Sequence, residues 1–312
     1  MPENTSENLP AEGKFRSYSE TISYLYSRLP MFSRSGAAAI KADLFNTQKF
    51  CTHLGNPHNK FKSVHVGGTN GKGSTSHMLA AILQSAGYKT GLYTSPHLRD
   101  FRERIRINGK MISEEAVVKF TEENYQFIEE LEPSFFEVTV AMAFSHFASG
   151  QIDIALIEVG LGGRLDSTNV IRPDLSVISN IGYDHMNILG NTLPEIAAEK
   201  AGIIKYKIPV VISQKQDEVA DIFIKKAALE QSKLVFASDE WKISRSSDQS
   251  RSADVLRVDI SRKDQADSAF FSFNTLELDL TGIYQLKNLA GVLSAVKQLR
   301  QSGYQISDRN IQ

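Results

Sequence analysis

Continuous apolar runs and helical stripes alternate along this chain to about residue 233. The continuous runs are IDIALIEVG at 152–160, LSVISNI at 175–181 and IPVVIS at 208–213, and such runs are typical of strands buried on both faces of a parallel sheet. LPEIAAEKAG, between the second and third runs, predicts a helix. Repeated strand, loop and helix units predict an α/β fold with a doubly wound, mostly parallel sheet, in which ligands bind at the carboxyl ends of the strands.

Helical stripes also occur before and after these strands. Apolar residues recur at intervals of three and four positions, which predicts helices at 18–29, around 44–50, at 114–131, at 136–149 and at 284–299. Pro30 ends the first run, because proline cannot continue a helix. A further helix follows the glycine-rich stretch described below, and Gly87 is well placed to end it.

Two segments instead show a period of two. From about 234 to 280, WKISRS, VLRVDIS and AFFSFNTLELDL alternate apolar and polar residues, which predicts a small antiparallel β flank. FRERIRI at 101–107 has the same period, with Arg102, Arg104 and Arg106 on one face of a predicted strand. Three guanidiniums on one face are typical of a solvated surface. Beside a phosphate site they can instead bind an anionic substrate.

Composition narrows the class of protein. The chain has 312 residues, of which 41% are hydrophobic and 23% charged, as in an ordinary globular protein. Its net charge of −1 gives no indication of nucleic acid or membrane partners. The single cysteine, Cys51, excludes an intramolecular disulfide framework, and no segment approaches the ~20 apolar residues of a membrane span. We therefore expect a cytoplasmic protein that is a monomer, with a disordered polar segment at 1–15.

The stretch VHVGGTNGKGSTSH at 64–77 carries the clearest candidate chemistry. An apolar strand end leads into four glycines with Lys72 among them, and hydroxyl residues then open an amphipathic helix. Glycines let backbone N–H groups converge on an anion, the helix N-terminus adds partial positive charge, and Lys72 supplies a mobile ammonium. Ser74 or Thr75 can ligate the Mg²⁺ that accompanies a nucleoside triphosphate. The stretch therefore predicts a phosphate-binding loop.

This loop departs from the strict GxxxxGK[ST] pattern. That pattern needs glycine at 66 and Ser or Thr at 73, whereas this chain has Val66 and Gly73, so the hydroxyl arrives one residue late. The alternative is a plain glycine turn between a strand and a helix. A plain turn needs neither four glycines nor the lysine, so we favour phosphate binding.

Two later residues are candidate partners of the loop. Glu158 closes a buried strand, where a Mg²⁺ ligand is expected because the cation prefers carboxylate oxygen, although a structural role is equally common there. His185, in DHMN after the next strand, is of a type that is more often an ordinary loop residue. Successive parallel strands end at one edge of a sheet, so we expect both residues near the phosphate loop. The chain contains no recognisable nucleophile–base dyad.

Seven motifs, spread in order from about residue 64 to 288, resemble those of the bifunctional dihydrofolate synthase/folylpolyglutamate synthases of the Mur ligase superfamily. They are VHVGGTNGKGST, YTSPHLRDFRERIRING, SFFEVT, IEVGLGGRLDSTN, NIGYDHMNILG, IAAEKAGIIK and GIYQLKN. The resemblance implies a Mur ligase central ATPase domain at 16–300. It further implies a ligase that uses ATP to join dihydropteroate or a reduced folate to the α-amino group of L-glutamate through an acyl phosphate.

The resemblance also implies a set of site residues. ATP phosphates would lie against Lys72 and the rest of the loop, which is Gly68, Thr69, Asn70, Gly71, Gly73, Ser74 and Thr75. Two Mg²⁺ sites are expected, with ligands from Ser74, Glu158, His185 and a carbamylated Lys200. The catalytic candidates are Lys72, Lys200 and His185, and adenine would be read by Gln285 and Asn288. Substrate would meet the turn at Ser95 and Pro96, Arg104, and a pterin pocket of Phe136, Glu137, Asp166 and Ser167.

Alternatives and one departure from the family remain. A cell-wall precursor ligase is the alternative within the superfamily, although SPHL and EVGLGGRLD look folate-type. A nucleotide-binding switch without ligase activity is the alternative from another class. The family continues into a smaller C-terminal domain with ribose and glutamate contacts, whereas this chain stops after 301–312, which would be the start of a linker. The chain is either a fragment or a naturally short homologue. We favour a fragment, and expect it to bind ATP weakly and to ligate poorly by itself.

Overall fold

The computed structural model of the chain describes residues 14–15, 17–30, 43–247, 255–263, 271 and 273–312. Most of the segment predicted to be disordered, 1–15, lies outside the described residues, and so do residues 269, 270 and 272 of the predicted strand AFFSFNTLELDL. Phe15 is buried, and its backbone N–H donates to Glu122 Oε1 at 3.1 Å. The described chain therefore already packs against the domain at this residue.

The described residues form helices and strands in alternation. The helices are α1 Tyr18–Arg28, α2 Phe45–His53, α3 Lys72–Ser85, α4 Glu114–Glu123, α5 Tyr125–Leu131, α6 Phe135–Ser149, α7 Met186–Leu189, α8 Leu193–Ala201, α9 Asp217–Leu229, α10 Ala237–Glu240 and α11 Gln285–Gln301. The strands are β1 Lys62–Gly67, β2 Thr90–Tyr93, β3 Ile105–Ile107, β4 Lys110–Met111, β5 Ile154–Glu158, β6 Leu175–Ile178, β7 Val210–Ile212, β8 Leu234–Phe236, β9 Trp241–Arg245, β10 Leu256–Arg262 and β11 Thr275–Leu278. Short 3₁₀ helices occupy Pro57–Asn59, Phe101–Arg104, Ser167–Val170 and Asp308–Asn310.

Eight strands form one sheet in the order β4-β3-β2-β5-β1-β6-β7-β8. The six strands from β2 to β8 in this order are parallel, and β3 and β4 pair antiparallel at one edge. The central register places Val66 opposite both Glu158 of β5 and Val177 of β6. The phosphate loop after β1 therefore lies at the same sheet edge as Glu158. The predicted doubly wound, mostly parallel sheet is confirmed.

Local sequence signals fix the helix ends around this sheet. Ser134 caps α6 in a capping box with Glu137, and Thr192 caps α8 in the same way with Glu195. α3 ends at Ser85, and Gly87 follows with φ +90°, as expected of a glycine that stops a helix. The predicted helix at 114–131 is two helices, divided at Asn124.

The core lies on both faces of the sheet. On one face α3 and α11 pack against β1, with Leu79 and Leu83 fully buried. On the other face, α6 covers β2 and β5 beside α2 and α4, and α8 and α9 cover β6 and β7. Burying each leucine contributes about 1.5–3 kcal/mol. This burial anchors α3, whose N-terminus follows the glycine loop.

The small antiparallel sheet has the order β11-β10-β9 and begins later than predicted. Leu234–Phe236 belongs to the large sheet, where it pairs parallel with β7. This strand follows α9, and a strand–helix–strand crossover returns its second strand parallel to the first. The period-two pattern alone could not distinguish this parallel strand from the antiparallel strands that follow, because three residues show too little alternation.

The prediction that FRERIRI is one strand is wrong for its first half. Phe101–Arg104 is a 3₁₀ helix, capped by Asp100, whose side chain accepts from Arg102 N–H, and only Ile105–Ile107 is strand. The three arginines therefore do not share a face. Arg102 is paired with Asp100 and Glu114, Arg106 donates to the Glu103 carbonyl, and Arg104 is buried.

No helix among the described residues is both long enough and apolar enough to cross a membrane.

Candidate nucleotide and substrate site

The loop after β1 is built on two glycines that no larger residue could replace without rearrangement. Gly68 has φ +130° and Gly71 has φ +85°, in the region that favours glycine. A Cβ on Gly68 would lie 1.9 Å from Ser179 Oγ, and one on Gly71 would lie 2.2 Å from Asn288 Oδ1. The loop is thus pressed against neighbouring elements on both sides.

Hydrogen bonds from the segment after β6 hold the loop. Thr69 N–H donates to the Asn180 carbonyl at 2.8 Å, and Asn70 N–H donates to Asn180 Oδ1 at 2.8 Å. Ser179 Oγ donates to the Asn70 carbonyl at 2.6 Å. Sequence reasoning missed Ser179 and Asn180, although SN at a strand end is a composition typical of such contacts.

The N-terminus of α3 points at the loop without a side-chain cap. Its N-cap residue is Gly71, which has no side chain to accept from the first helical N–H groups. Uncapped N–H groups and the helix dipole together form an anion site. The loop geometry therefore supports the predicted phosphate cradle.

Two lysines converge on this loop. Lys72 Nζ donates to the carbonyls of Gly68 and Thr69, each at 3.1 Å, and Lys200 Nζ on α8 donates to the Gly68 carbonyl at 2.9 Å. Lys200 is only 3% exposed. Burial, with a smaller contribution from the positive charge of Lys72, lowers the pKa of Lys200 to about 8. The structure thus places both predicted lysines at the loop, with Lys200 unusually ready to become neutral.

Glu158 ends β5 beside the first turn of α3. Its carboxylate lies 3.7 Å from the position a Cβ would take on Gly73, and its Oε2 accepts from Ser95 N–H at 3.1 Å. Burial raises the pKa of Glu158 to about 7, and the positive charge of Lys72 opposes this rise. The site therefore holds a desolvated carboxylate close to a lysine and to the predicted substrate turn at Ser95.

α11 brings its first turn to the same loop. Gln285 Nε2 donates to Ser74 Oγ at 3.1 Å, and Asn288 Nδ2 donates to Gln285 Oε1 at 2.7 Å. Both amides are buried. The two residues predicted to read adenine are thus brought next to the phosphate loop, and Gln285 fixes the hydroxyl of Ser74.

His185 is less closely tied to this group. It has a left-handed backbone (φ +48°), precedes α7 and lies with Nε2 3.5 Å from Asp184 Oδ1. In the part of the chain that the structure describes, no three or more His, Cys, Asp or Glu side chains are grouped to hold a metal. The predicted ligand set contains only two residues of these types, Glu158 and His185. A Mg²⁺ site therefore stays a prediction.

The predicted pterin pocket is partly occupied by internal contacts. Glu137 accepts from Ser134 N–H at 2.6 Å as part of the α6 cap and from Asn46 Nδ2 at 3.4 Å, so its carboxylate is already engaged. The Phe136 ring lies against Gly160, where a Cβ would come within 2.3 Å of it. Phe136 is the aromatic member of this set, and its ring centre also lies 6.2 Å from that of Tyr93.

Asp166 is fully enclosed by donors of its own loop. Its carboxylate accepts from Leu161 N–H at 2.8 Å and from both the N–H and the hydroxyl of Thr168, and Ser167 opens the 3₁₀ helix that Asp166 caps. Burial raises the pKa of Asp166, and these hydrogen bonds oppose the rise. The hydrogen bonds of Asp166 thus hold the glycine loop at 160–163 in place, and they already occupy its carboxylate oxygens.

His65 is a buried residue of this network that sequence reasoning missed. It lies in the central strand β1, wholly buried, with Nε2 2.9 Å from Thr168 Oγ1. Since the Thr168 hydroxyl donates to Asp166, it accepts from His65, which must carry its proton on Nε2. A polar residue inside an otherwise apolar strand was the available signal.

Fold and site together define a class: an α/β nucleotide-binding domain with a glycine-rich phosphate loop, two loop-directed lysines and a buried acidic residue on the neighbouring strand. The sequence pattern of the Mur ligase middle domain matches residues 66–296. The chain belongs to this family.

Known proteins extend this match. The chain is 43% identical over 215 residues to a dihydrofolate synthase/folylpolyglutamate synthase of Bacillus subtilis, covering 67% of this chain and 48% of that protein. It superposes with a TM-score of 0.80 on the crystal structure of a folylpolyglutamate synthase from Thermotoga maritima, with 36% identity over 94% of this chain and 64% of that one. A solved FPGS–AMPPCP–folate complex gives a TM-score of 0.81 at 32% identity, over 95% and 70% of the two chains. The chain spans about half the length of the Bacillus subtilis relative.

Proposed function

We propose that this chain is the ATP-binding part of an amide ligase that joins L-glutamate to dihydropteroate or to a reduced folate. One observation carries the proposal: the glycine loop, Lys72, Lys200 and Glu158 form one site on a fold shared with folylpolyglutamate synthases. A relative with this fold binds AMPPCP, an ATP analogue, together with folate.

The proposed reaction has two steps. A carboxylate oxygen of the folate-type substrate attacks the γ-phosphorus of ATP, the bond to the β-phosphate oxygen breaks, and ADP leaves. The α-amino group of glutamate then attacks the acyl carbon of the resulting acyl phosphate, phosphate leaves, and the nitrogen loses a proton to form the amide. Such transfers need positioning and charge neutralisation more than a protein nucleophile. Lys72, beside the loop carbonyls, is placed to neutralise phosphate charge.

Mg²⁺ fits the donors that this site offers. Glu158 and Ser74 supply the oxygen ligands that a hard cation prefers, and Glu158 lies desolvated beside the phosphate loop. Ser74, Glu158 and His185 would hold one ion. A carbamate on Lys200 would replace an ammonium by a carboxylate-like ligand for a second ion. Bound Mg²⁺ would offset negative charge on the phosphates.

Carbamylation of Lys200 is supported by its environment. The amine is buried, its pKa is lowered to about 8, and a neutral amine is the form that reacts with CO₂. In that reaction the nitrogen bonds to the carbon of CO₂ and releases one proton, leaving a carbamate.

A cytoplasmic location and a monomeric state also stay predictions.

Calorimetry and product analysis test the proposed function. The chain is titrated with AMPPCP and with folate. ADP release from ATP is then measured with the pterin substrate alone (dihydropteroate or tetrahydrofolate), with glutamate alone, and with the pterin substrate and glutamate together. We expect AMPPCP and folate to bind, and ADP release to require both co-substrates. ADP release at the same rate with and without the co-substrates would favour a nucleotide-binding switch. ADP release that is stimulated by a cell-wall precursor would favour a cell-wall precursor ligase.

A further inference from the structure

Arg104 is a buried cation for which the described residues provide no ion pair. Its side chain is 93% removed from solvent, with a relative exposure of 7%. Its guanidinium donates from Nε to His97 Nδ1 at 2.7 Å, and the buried Tyr93 hydroxyl also lies against the Arg104 side chain. A buried charge without an ion-pair partner is costly. Arg104 lies near enough to Glu158 to lower its pKa, but the described residues place no carboxylate in an ion pair with it, so the guanidinium can still receive an anion.

The acidic residues nearest in sequence are committed elsewhere. Glu103 accepts from the N–H groups of Leu98, Arg99 and Asp100 at 2.8–3.1 Å. Asp100 is bound by Arg102 at 2.8 Å and by the Tyr18 hydroxyl at 2.9 Å. Neither carboxylate can turn to Arg104 without losing these partners.

Arg104 faces the reacting end of the site. Its backbone carbonyl accepts from Thr94 N–H at 3.0 Å, next to the Ser95 N–H that binds Glu158. The positive charge of Arg104 lowers the pKa of Glu158, although burial is the larger effect and raises it. The guanidinium therefore lies close to Glu158, at the carboxyl end of β2 and β5.

A chain of two side chains holds the guanidinium in place. Arginine is always protonated and donates through Nε, so Nδ1 of His97 must accept and the neutral imidazole carries its proton on Nε2. Nε2 lies 3.1 Å from the Tyr26 hydroxyl, which therefore accepts from it. Burial and the charge of Arg104 both lower the pKa of His97, which keeps the ring in this neutral form.

Aromatic rings complete the support. The Tyr26 and His97 rings stack at 18° with centroids 6.3 Å apart, and the Tyr26 ring packs on Phe135 at 5.3 Å. The Arg104 guanidinium carbon lies 5.4 Å from the centre of the same Phe135 ring. A guanidinium held by a ring face and one Nε–H contact keeps its fork of Nη donors in a fixed orientation.

We propose that Tyr26 and His97 are positioning residues that hold the Arg104 guanidinium ready for a carboxylate of the folate-type substrate. This inference rests on the proposed function. The helix α1, outside the matched family segment 66–296, thereby contributes a side chain to the substrate site. The fork of Arg104 suits a planar carboxylate in a bidentate contact.

Ligand affinity separates positioning from a purely structural role. The full 312-residue chain and its variants are titrated by calorimetry with folate and with 6-methylpterin, a pterin without a carboxylate, and thermal melts are recorded. His97→Leu removes the acceptor, and we expect it to weaken folate binding about tenfold. His97→Asn keeps an acceptor near the Nδ1 position and should restore most of the affinity. Tyr26→Phe should weaken folate binding a few-fold, and affinity for 6-methylpterin should not change in any variant.

Tyr24→Phe is the matched control on the same helix. The Tyr24 hydroxyl donates to Glu129 at 2.8 Å, away from Arg104, so its loss should leave folate affinity unchanged. The proposal is overturned if His97→Leu and Tyr26→Phe bind folate like the parent, or if they weaken folate and 6-methylpterin equally. A parent chain that binds no folate would instead contradict the proposed function.

Discussion

Lys72 and Lys200 direct their ammonium groups to the same backbone oxygen, that of Gly68, at 3.1 and 2.9 Å. The lysines belong to different helices, α3 and α8, so the loop draws two cations to one point. Like charges at this distance repel, and repulsion contributes to the lowered pKa of Lys200. A bound phosphate would relieve that repulsion, and we therefore expect the loop to favour an anion.

Removing the first of these cations should remove most of the activity. We expect Lys72→Ala to lower turnover by about 10²-fold or more, by analogy with the loss of one charge-stabilising group at other active sites. Steady-state ADP release with folate-type substrate and glutamate measures this. Lys89→Ala, an exposed lysine before β2, is the matched control and should keep the parent rate. A parent-like rate in Lys72→Ala would exclude the residue from the mechanism.

Glu158→Gln tests charge at nearly constant shape. The amide keeps an oxygen that can accept from Ser95 N–H, so the fold should survive, while the negative charge is lost. We expect turnover to fall by about 10²-fold, with a melting temperature equal to or above that of the parent because a desolvated carboxylate is removed. Turnover and the melting temperature, measured on the same preparation, check these two expectations. Unchanged turnover would make Glu158 structural.

The glycine loop allows steric and conformational effects to be compared. Gly71→Ala would place a Cβ 2.2 Å from Asn288 Oδ1 at φ +85°, whereas Gly87 has a similar φ of +90° with nothing within 4 Å. Gly87→Ala should therefore cost about 1 kcal/mol of unfolding free energy from backbone conformation alone. Gly71→Ala should cost more and also weaken AMPPCP binding. Urea unfolding and calorimetry measure the two effects, and equal stability losses would show that Asn288 simply moves aside.

Lys200 offers a direct test of carbamylation. We expect ¹³C-labelled bicarbonate at pH 8 to give a carbamate carbon resonance that disappears in Lys200→Met. Lys205→Met is the matched control, because Lys205 is half-buried, and burial lowers its pKa too, but it donates to the Asn169 carbonyl, away from the phosphate loop. Persistence of the resonance in Lys200→Met would assign the carbamate to another amine.

The mostly parallel sheet and the glycine-rich loop could be predicted from the sequence because their signals are local. An apolar run that ends in Glu158, or a glycine stretch that opens a helix, needs no partner to be recognised. Hydrogen bonds between side chains of different elements could not be predicted in this way. That Gln285 binds Ser74, or that Tyr26 reaches His97, depends on packing between elements far apart in the chain. The period of two predicts one strand face shared by Arg102, Arg104 and Arg106, whereas residues 101–104 form a 3₁₀ helix capped by Asp100, and Arg104 is buried.

The pterin pocket shows a second limit of sequence reasoning. Motif resemblance assigns Glu137 and Asp166 to substrate, yet their carboxylates accept hydrogen bonds from the α6 cap and from the loop at 160–168. A residue type at a motif position does not reveal whether its acceptors are already used. Counting donors around each carboxylate requires the folded structure.

His65 gives a pH dependence that can be assigned to one residue. Burial, with a smaller effect of Lys205, lowers its pKa from 6.5 to about 3. Between these values the unfolded chain binds the proton and the folded chain does not, so the free energy of unfolding falls as the pH decreases from 6.5 towards 3. At 1.36 kcal/mol per pH unit, the contribution of His65 to this loss should reach about 2–3 kcal/mol at pH 4.5.

Urea unfolding at pH 7.0 and pH 4.5 isolates this contribution. His65→Gln removes the titrating ring, so it should be less stable than the parent at pH 7.0 but lose less stability on acidification. Ser176→Ala is the matched control. Ser176 on β6 lies opposite His65 on β1, and this variant loses a buried hydrogen bond to the Ile203 carbonyl without removing a titrating group. Its acid loss should equal that of the parent. An equal acid loss in His65→Gln would show that other groups cause the pH dependence, and that the hydrogen bond to Thr168 also holds a protonated ring.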